Sequence, residues 1–322
     1  MNGAAHARAV PIESRTLPGR HAHTAVISVV ICTRDRASRL ERCLEHLCAA
    51  CEVPDAAWQL VVVDNASTDG TRAVVERYAA RLPITYAFEP RPGLAHARNR
   101  GVAAAEHGLI AFTDDDCLVS PRWLRAIMQE FARHPTLSVL GGKVMLADTN
   151  DYPVSIRVHG RPERITTARQ IMSIMSGSNM AFRREVFAEV GLFDPAFGKG
   201  RHTGSAEDID MLYRVLKHAC SIRYSPRPVV MHAHGRRTTE ALRTLRREYV
   251  RGRGAFYCKF LRDRQIARMA YWEVRRLVAD LFRVPRDRDA PRVLAHLAAG
   301  AFYRFVYGTA HSVQRLARWE GA

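Results

Sequence analysis

The sequence contains few cysteines, no long apolar run and little lysine. Seven cysteines among 322 residues are too sparse for a disulfide-stapled scaffold, and their number is odd. No apolar stretch reaches the roughly 18 residues that a membrane-spanning helix needs, so no such helix is predicted. The N-terminal segment MNGAAHARAVPIESRTLPGRHAH lacks the apolar run of a signal peptide, so we expect a cytoplasmic protein.

Charge is the strongest bias of the composition. The chain carries 49 Lys and Arg against 32 Asp and Glu, a formal net charge of +17, and only four of the basic residues are lysine. A hydrophobic content of 47% excludes global disorder, and the length suits one large domain or two smaller ones. Residues 235–322 hold 20 basic and 8 acidic residues, so this last quarter should attract anions.

Apolar segments alternate between strand and helix patterns through the first third of the chain. Short, β-branched runs predict strands at 25–32, 59–63, 84–88 and 108–113. Segments with apolar residues at helical spacing predict helices at 38–51, 72–81 and 94–105. This alternation predicts an α/β fold with a Rossmann-like, mostly parallel sheet and helices on both faces.

Polar residues follow three of these strands. They are Thr33-Arg34-Asp35 after the first strand, Asp64 after the second and Asp114-Asp115-Asp116 after the fourth. Ligands of such folds bind at the carboxyl ends of the strands. The sequence therefore predicts a binding site at this edge of the sheet.

The second half of the chain has a looser pattern. The pattern loosens after residues 139–145, and we predict a turn followed by a helix at 175–193 and a helix at 205–218. A short extended run at 224–232 is broken by Pro226 and Pro228. From Thr238 onward the pattern predicts basic helices, interrupted near Pro285 and Pro291.

The acidic triplet Asp114-Asp115-Asp116 suits a metal ion. Carboxylate oxygens bind hard cations such as Mg²⁺ and Mn²⁺, which bridge to phosphate oxygens. Alternate residues of an extended segment face the same way, so Asp114 and Asp116 are expected to share one ligand. The alternative is an acidic turn that caps the next helix, for which Ser120-Pro121 is a start signal.

Glu207 and Asp208 open the predicted helix at 205–218. Acids near a helix N-terminus interact favourably with the macrodipole by about 0.3–1 kcal/mol each, which accounts for the pair without any function. The functional alternative is a general base. An aspartate in a cleft beside a metal ion and phosphates can accept the proton of an attacking hydroxyl.

The pair His232 and His234 follows the extended run. In a His-x-His segment both rings lie on one face, which suits a metal ion. No second pair lies nearby in sequence, so a zinc site is not expected. One histidine could instead complete a divalent site with the acidic triplet, and a surface histidine is the other interpretation.

The basic C-terminal region interleaves arginine with aromatic and aliphatic residues. Arginines crowd the segment 243–253, Tyr271-Trp272 follow, and an apolar stretch spans 294–306. Such a helix can lie in an anionic membrane interface, and an ordinary solvated face is the alternative. Nucleic acid fits the charge, but no recognition motif accompanies it, so we expect no nucleic-acid partner.

Eight segments in order resemble the family 2 glycosyltransferases, which are inverting enzymes of the GT-A fold. They are ISVVICTRDRASRLERCL, VVVDNASTDGT, RPGLAHARNRGV, FTDDDC, SGSNMAFRREVF, VGLFDPAFG, AEDIDMLYRVL and VVMHAH. One segment alone would be a weak signal, whereas the ordered series is specific. The resemblance covers roughly residues 26–235.

The resemblance implies a nucleotide-sugar donor and a divalent cation, Mn²⁺ or Mg²⁺. By matching position, the residues that bind the nucleotide sugar would be Thr33, Asp35, Asp64, Arg98, Asp114 and Asp115. Asp64 would contact the base, most simply uracil, and Arg98 would lie near the base and phosphates. Asp116 would bind the metal ion, with His232, or in second place His234, as the late ligand to metal or diphosphate.

The resemblance also implies the catalytic pair. Asp208 would be the general base and Glu207 would orient it, because inverting transfer is a direct displacement in which an acceptor hydroxyl must lose one proton. The metal ion would offset charge on the leaving nucleotide diphosphate. Arg34 and Asp35 stand where the family often has an aromatic residue and Asn, which puts the uracil assignment in doubt.

These inferences predict three regions and one main function. The regions are a flexible tail at 1–25, a GT-A domain at 26–235 and a basic helical region at 236–322. The expected acceptor is a glycan or a lipid-linked molecule, and the basic region would serve acceptor binding or a peripheral position at the inner face of the membrane. The alternatives are a metal-dependent nucleotidyltransferase on a related fold and a non-catalytic protein that binds polyanions or membranes.

Overall fold

The computed structural model describes residues 15–16, 25–50, 57–199 and 201–283. Within these ranges the strands are β1 (Arg15–Thr16), β2 (Ala25–Thr33), β3 (Ala57–Asp64), β4 (Ile84–Phe88), β5 (Leu109–Asp114), β6 (Cys117–Val119), β7 (Leu137–Leu146), β8 (Glu163–Ile165), β9 (Asn179–Arg183) and β10 (Ser221–His232). The helices are α1 (Ala37–Ala50), α2 (Thr71–Tyr78), α3 (Leu94–Ala104), α4 (Trp123–Arg133), α5 (Ala168–Ile174), α6 (Glu185–Val190), α7 (Glu207–Lys217), α8 (Thr239–Lys259) and α9 (Arg264–Arg283).

The strands form one mixed, mostly parallel sheet. Their order is β1-β4-β3-β2-β5-β9-β7-β10-β6, and β8 pairs with β10. Strands β4, β3, β2 and β5 are mutually parallel, and β7 and β10 run the same way, because β9 is antiparallel to both β5 and β7. The α/β fold predicted from the sequence is confirmed, and the carboxyl ends of β2, β3 and β5 meet at one edge.

Helices cover both faces of this sheet, which explains the uninterrupted apolar strands. Successive residues of a strand point to opposite faces. Val30 accordingly packs in the core beneath α3, α7 and α8, whereas Val29 and Ile31 pack in a second core beneath α1, α2 and α4. The two cores hold the sheet rigidly and leave its edge free to carry polar side chains.

Strand β9 was not predicted. The segment 175–193 was expected to hold a turn and a helix, and the structure inserts Asn179–Arg183 as a strand between β5 and β7. Its short sequence, NMAFR, has weak strand propensity. Burial of Met180 and Phe182 in the sheet decides its conformation, and the Asn179 side chain donates to the backbone carbonyls of Lys143 and Pro228.

Strand β10 is longer than predicted. It begins at Ser221 and passes through the two prolines by a register shift between Tyr224 and Val229 against β7. The prolines cannot donate hydrogen bonds, so the pairing is interrupted there and resumes at Val229. His232 thereby reaches the edge of the sheet beside β6, where it is the register partner of Cys117.

Helix α8 belongs to the same hydrophobic core as the sheet, although the predicted domain boundary precedes it at 235. Ala255 and Phe256 are fully buried, and the Phe256 ring packs edge-on against Tyr213 of α7 at 5.4 Å between centroids. Gly252 permits this packing, because a Cβ there would lie 2.0 Å from the carbonyl oxygen of Ser205. The predicted regions 26–235 and 236–322 therefore share a core.

The two ends of the chain are described only in part. Of the predicted tail at 1–25, the structure describes β1, which pairs antiparallel with β4, and the first residue of β2. The predictions beyond residue 283, namely the breaks at Pro285 and Pro291 and the apolar stretch 294–306, lie outside the described residues. In the described ranges, no helix combines the length and apolar character needed to cross a membrane.

Candidate active site

A cavity of about 840 Å³ opens at the carboxyl edge of the sheet. One side is formed by the ends of β2 and β5 and the start of α3, and includes Thr33 and Asn65. The opposite side is formed by α5, the start of α7, and α8. The triplet Asp114-Asp115-Asp116 lies on the first side and the pair Glu207-Asp208 on the second, so the two predicted acidic groups face one cavity.

Asp114 and Asp116 lie together, as their alternation predicts. One ligand atom from each of Asp114, Asp116, Cys117 and His232 lies within 4.8 Å of all the others. The Nε2 atom of His232 is 3.1 Å from Oδ1 of Asp116, and its buried Nδ1 has no hydrogen-bond partner. Two carboxylates and an imidazole form a donor set that fits a divalent cation such as Mn²⁺ or Mg²⁺.

The charge of Asp116 is well stabilised. Burial opposes ionisation, but the His232 hydrogen bond and the charges of His232, Arg36 and Arg39 hold the pKa of Asp116 well below its usual range. The ionised form of Asp114 is less well stabilised, because its guanidinium partner Arg98 is 3.8 Å away, and burial raises its pKa. Asp116 is therefore anionic at physiological pH.

Asp115 is held by Thr33 and Arg36 and is not a member of the metal-competent cluster. Its Oδ2 accepts a 2.8 Å hydrogen bond from Thr33, and its Oδ1 accepts one of 2.8 Å from Arg36. Burial raises its pKa to about 6 despite the neighbouring guanidinium. Asp115 and Thr33 thus tie the end of β5 to the end of β2. Helix α4 begins at Trp123 with Arg122 as its N-cap, so the triplet does not cap it.

Asp35 and Asp64 are placed differently from the other predicted residues, since neither lines the cavity. Asp64 is buried and accepts 2.8 Å hydrogen bonds from Tyr86 Oη and from the Ser67 amide. Asp35 is on an exposed loop with φ +50° and accepts from the Thr68 amide, the main reason why its pKa is lowered. Both side chains shape the loop 65–70.

Arg98 and Glu207 form a buried ion pair across the cavity floor. Nη1 of Arg98 is 2.9 Å from Oε1 of Glu207, and both side chains are almost completely buried. Burial raises the pKa of Glu207 to about 7, although Arg98 opposes the shift. The second carboxylate oxygen of Glu207 is buried without a hydrogen-bond partner. This pair links α3 on the strand side to α7 on the helix side.

Asp208 faces the cavity at the start of α7. Its Oδ2 accepts a 2.9 Å hydrogen bond from the Gly177 amide, and its Oδ1 accepts from the Ile209 amide. A Cβ at Gly177 would lie 2.9 Å from Oδ2 of Asp208 and 2.8 Å from Nη2 of Arg98, so a larger residue there would displace the end of at least one of these side chains. The turn before β9 thereby orients the acid, a role that the sequence analysis did not assign.

The two histidines face different partners, contrary to the expectation that both rings serve one face. His232 lines the cavity beside Asp116. His234 is buried behind it, with Nε2 3.1 Å from the Tyr152 carbonyl oxygen and Nδ1 accepting from the Arg236 amide. The chain turns at Gly235, whose φ is +66°, after the extended segment ends at His232.

Three basic residues of the site were not predicted from the sequence. Arg36 binds Asp115 at 2.8 Å, and Lys199 and Arg236 line the cavity near it. Burial and the charges of Arg36 and Arg236 lower the pKa of Lys199, which indicates that these cations converge. Nη1 of Arg236 is buried without a hydrogen-bond partner. Of these three residues, only Arg36 lies in one of the segments that resemble the family, in the stretch TRDR.

A mostly parallel sheet flanked by helices, with an acidic cluster at its carboxyl edge, is the arrangement expected of the GT-A fold. The family model "Glycosyl transferase family 2" matches residues 28–191. The chain therefore belongs to glycosyltransferase family 2.

Curated relatives agree with this assignment. A validoxylamine A glucosyltransferase from Streptomyces hygroscopicus subsp. limoneus is 37% identical over 136 residues, which is 41% of this chain and 30% of the relative. A pre-mycofactocin glycosyltransferase from Mycobacterium tuberculosis is 28% identical over 244 residues, 72% of this chain and 46% of the relative. The chain thus spans less than half the length of these two relatives.

Solved structures share the fold. The mannosyltransferase PcManGT from Pyrobaculum calidifontis, in complex with GDP-Man and Mn²⁺, aligns with a TM-score of 0.58 and 21% identity, covering 94% of this chain and 83% of that chain. Glucosyl-3-phosphoglycerate synthase from Mycobacterium tuberculosis, in complex with Mn²⁺, UDP and glucosyl-3-phosphoglycerate, aligns with a TM-score of 0.51 and 18% identity, covering 71% of this chain and 78% of that chain.

Proposed function

We propose that this chain is an inverting, metal-dependent transferase. It moves a sugar from a nucleotide diphosphate, most simply a UDP-sugar, to a hydroxyl of a glycan or a lipid-linked acceptor. The observation that carries the proposal is the shared cavity, which has the Asp114–Asp116–His232 cluster on one side and Asp208 on the other. Nucleotide-bound structural relatives with Mn²⁺ support the donor class.

The diphosphate of the donor meets a cationic part of the cavity. Asp114, Asp116 and His232 would hold the divalent cation, which when bound supplies charge neutralisation for the leaving nucleotide diphosphate. Arg236 and Lys199 add positive charge on the same side. The unpaired Nη1 of Arg236 is available to donate to a phosphate oxygen.

Asp208 is the group that accepts the proton of the attacking hydroxyl. Its Oδ2 accepts a hydrogen bond from the Gly177 amide, and Asp208 lines the cavity. As the acceptor oxygen bonds to the anomeric carbon, the bond from that carbon to the diphosphate oxygen breaks and the proton passes to Asp208. Glu207 positions Asp208 through the first turn of α7, which its ion pair with Arg98 anchors.

A donor panel tests this proposal. UDP-, GDP- and dTDP-sugars are titrated into the protein by calorimetry, with Mn²⁺, with Mg²⁺ and with chelator, and slow donor hydrolysis is followed in parallel. We expect one nucleotide to bind only with metal. Asp116→Ala should weaken that binding by on the order of 100-fold, because several kcal/mol of charge stabilisation is lost.

Glu45→Gln is the matched control, since Glu45 is exposed on α1 beneath the other face of the sheet. Its donor binding should equal that of the wild type. If no nucleotide sugar binds with either metal, while anionic vesicles do bind, then the proposed reaction is wrong and the chain acts as a membrane-binding protein.

The membrane association proposed for the C-terminal region is best supported by one face of α9. Arg264, Arg268, Tyr271 and Arg275 recur at helical spacing and are exposed, with Trp272 beside them. Tyr271 and Trp272 are 60% and 53% exposed, and the Arg275 guanidinium lies 5.0 Å from the Trp272 ring centre. Exposed aromatic rings among arginines suit an anionic lipid interface.

Vesicle co-sedimentation tests this face separately from the chemistry. The protein should bind phosphatidylserine vesicles more tightly than neutral ones, and Trp272→Ala should weaken binding by about tenfold through lost apolar burial. Leu192→Ala is the control, because Leu192 is an exposed apolar residue outside α9. Equal binding to both vesicle types would contradict the membrane proposal.

A further inference from the structure

The cavity continues past Asp208 into a compartment that the donor proposal does not use. We call it the helix-side compartment and define it by Met172, Met175, Leu245, Glu248 and Tyr249, all of which line the cavity. Its walls come from α5 and α8. Three of these five side chains are aliphatic or thioether groups, so the surface is largely apolar with polar groups at one end.

Helix α8 fixes the position of this compartment relative to Asp208. The Ser205 amide donates a 3.3 Å hydrogen bond to the Glu248 carbonyl, and Gly204, with φ +78°, lies where a Cβ would be 2.4 Å from that same oxygen. Ser205 precedes Asp208 by only three residues. This backbone contact between α8 and the segment before α7 therefore fixes the position of the α8 side chains relative to Asp208.

Glu248 presents an unsatisfied carboxylate to the compartment. Its Oε2 is buried without a hydrogen-bond partner, and its Oε1 is 3.9 Å from Nη1 of Arg251, which is too far for a hydrogen bond. Leaving a carboxylate oxygen buried and unpaired is costly. Such an oxygen can accept hydrogen bonds from a ligand that carries hydroxyl or amine donors.

Two arginines that line the cavity here, Arg157 and Arg253, already have partners. Arg157 donates to the backbone carbonyls of Ile156, Met172 and Met175. Arg253 forms a 2.9 Å ion pair with Glu273 of α9. Tyr249 is also engaged, since its hydroxyl is 2.6 Å from Oγ of Ser155. The helix-side compartment therefore offers a carboxylate and an apolar wall and provides no free guanidinium for a phosphate among these residues.

From this arrangement we propose that the helix-side compartment binds an acceptor that is neutral or cationic, bears hydroxyl or amine groups and has an apolar face. Glu248 determines this specificity by accepting hydrogen bonds from the acceptor. The inference rests on the proposed function, because it assigns the second substrate of the same site. At Glu248 it favours polyhydroxylated or amino-sugar-like acceptors over phosphorylated ones.

Three matched acceptors test the proposal. They are octyl glucoside, its 2-amino-2-deoxy analogue and its 6-phosphate, each titrated by calorimetry into the full chain with nucleoside diphosphate and Mn²⁺ present. The amino analogue should bind on the order of tenfold more tightly than the glucoside because its ammonium group meets Glu248, and the phosphate should bind weakest.

Two variants locate the effect. Glu248→Gln keeps the side-chain shape and should remove the advantage of the amino analogue, and Glu248→Lys should reverse the order in favour of the phosphate. Donor hydrolysis without acceptor should stay within about twofold of wild type, and thermal unfolding should show that both variants are folded. Glu45→Gln on α1 is again the control and should preserve the wild-type order.

The outcomes separate this inference from the proposed function. If the phosphate analogue binds best to the wild type, or if Glu248→Gln and Glu248→Lys leave the order of the three ligands unchanged, the acceptor assignment is wrong. Donor hydrolysis, measured on the same proteins in separate samples that contain nucleotide sugar and Mn²⁺, then reports on the transferase proposal independently. Because acceptor binding is measured without turnover, a failed donor reaction does not obscure it.

Discussion

The acidic residues on the two sides of the cavity differ in whether their carboxylate oxygens have hydrogen-bond or ion-pair partners. On the strand side, Asp116 contacts His232 and two arginines, and Asp115 receives hydrogen bonds from Thr33 and Arg36. On the helix side, one oxygen of Glu207 and one oxygen of Glu248 are buried without a partner.

This difference separates two tasks. Acids held by several cations and hydrogen-bond donors are fixed in place, which suits the binding of a metal ion and a phosphate group. Acids with spare acceptor capacity suit proton transfer and recognition of hydroxyl groups. Four predictions test this division, in order of decreasing expected effect.

The largest effect should come from removing the base on the helix side. Asp208→Asn should lower single-turnover sugar transfer by on the order of 1,000-fold, because the amide cannot accept the proton of the acceptor hydroxyl. Metal-dependent donor binding should remain, since the strand-side cluster is unchanged. A loss of donor affinity as large as the loss of rate would show that donor binding and proton transfer are not separated between the two sides.

The ion pair that joins the two sides should be next. Arg98→Met leaves Glu207 buried without its guanidinium and should lower the free energy of unfolding by about 3–5 kcal/mol. The double variant Arg98→Met/Glu207→Gln should regain part of that loss, because the Glu207 charge is then removed as well, while Asp114 still lacks its Arg98 partner. Denaturant unfolding measures both, and equal losses in the single and double variants would contradict the pairing.

The contact between α8 and the loop before α7 should have a smaller effect. Gly252→Ala places a methyl group 2.0 Å from the Ser205 carbonyl oxygen, so we expect a loss of about 1–3 kcal/mol in unfolding free energy and weaker acceptor binding. Gly160→Ala is the control, because a Cβ there has nothing within 4 Å. Similar unfolding midpoints for the two variants would rule out tight docking of α8.

The smallest effect should be a change in the pH dependence of stability. Burial raises the pKa of Glu207 from 4.5 to about 7, so the folded state binds more protons than the unfolded state between these values. Stability attributable to this group is therefore present at low pH and is lost as the pH rises towards 7. Glu207→Gln should make that slope shallower by at most about 1.4 kcal/mol per pH unit.

Thermal unfolding at several values between pH 4.5 and 7.5 measures this slope. Asp115, whose pKa burial raises to about 6, contributes in the same direction and remains in the variant, so part of the slope should persist. An unchanged slope in Glu207→Gln would mean that Glu207 is ionised throughout this range.

Much of the fold and of the strand side could be predicted. Buried β-branched runs such as QLVVV predict central strands, and these have their predicted positions to within a few residues. The spacing of Asp114 and Asp116 on an extended segment predicts that they share a ligand, and their carboxylates lie together in the structure. The catalytic and binding roles given to these residues stay predictions.

Other parts of the site could not be predicted because they depend on distant contacts. Asp64 is an acid at a strand end, as expected, yet Tyr86 and Ser67 engage its carboxylate, and Asn65 is the residue that lines the cavity. Strand β9 has no pattern of its own, and burial between β5 and β7 decides it. Neither outcome has a local sequence signal.

The sequence by itself determined the alternation of strands and helices, the acids at the strand ends and the family, because these depend on local periodicity and ordered motifs. Only the tertiary structure decided which acids meet one cavity, that His232 faces Asp116 while His234 does not, and that α8 forms a wall of the site. The physical reason is packing. Close contacts such as Gly252 against Ser205 and Gly177 against Asp208 join residues that are separated by more than 30 positions.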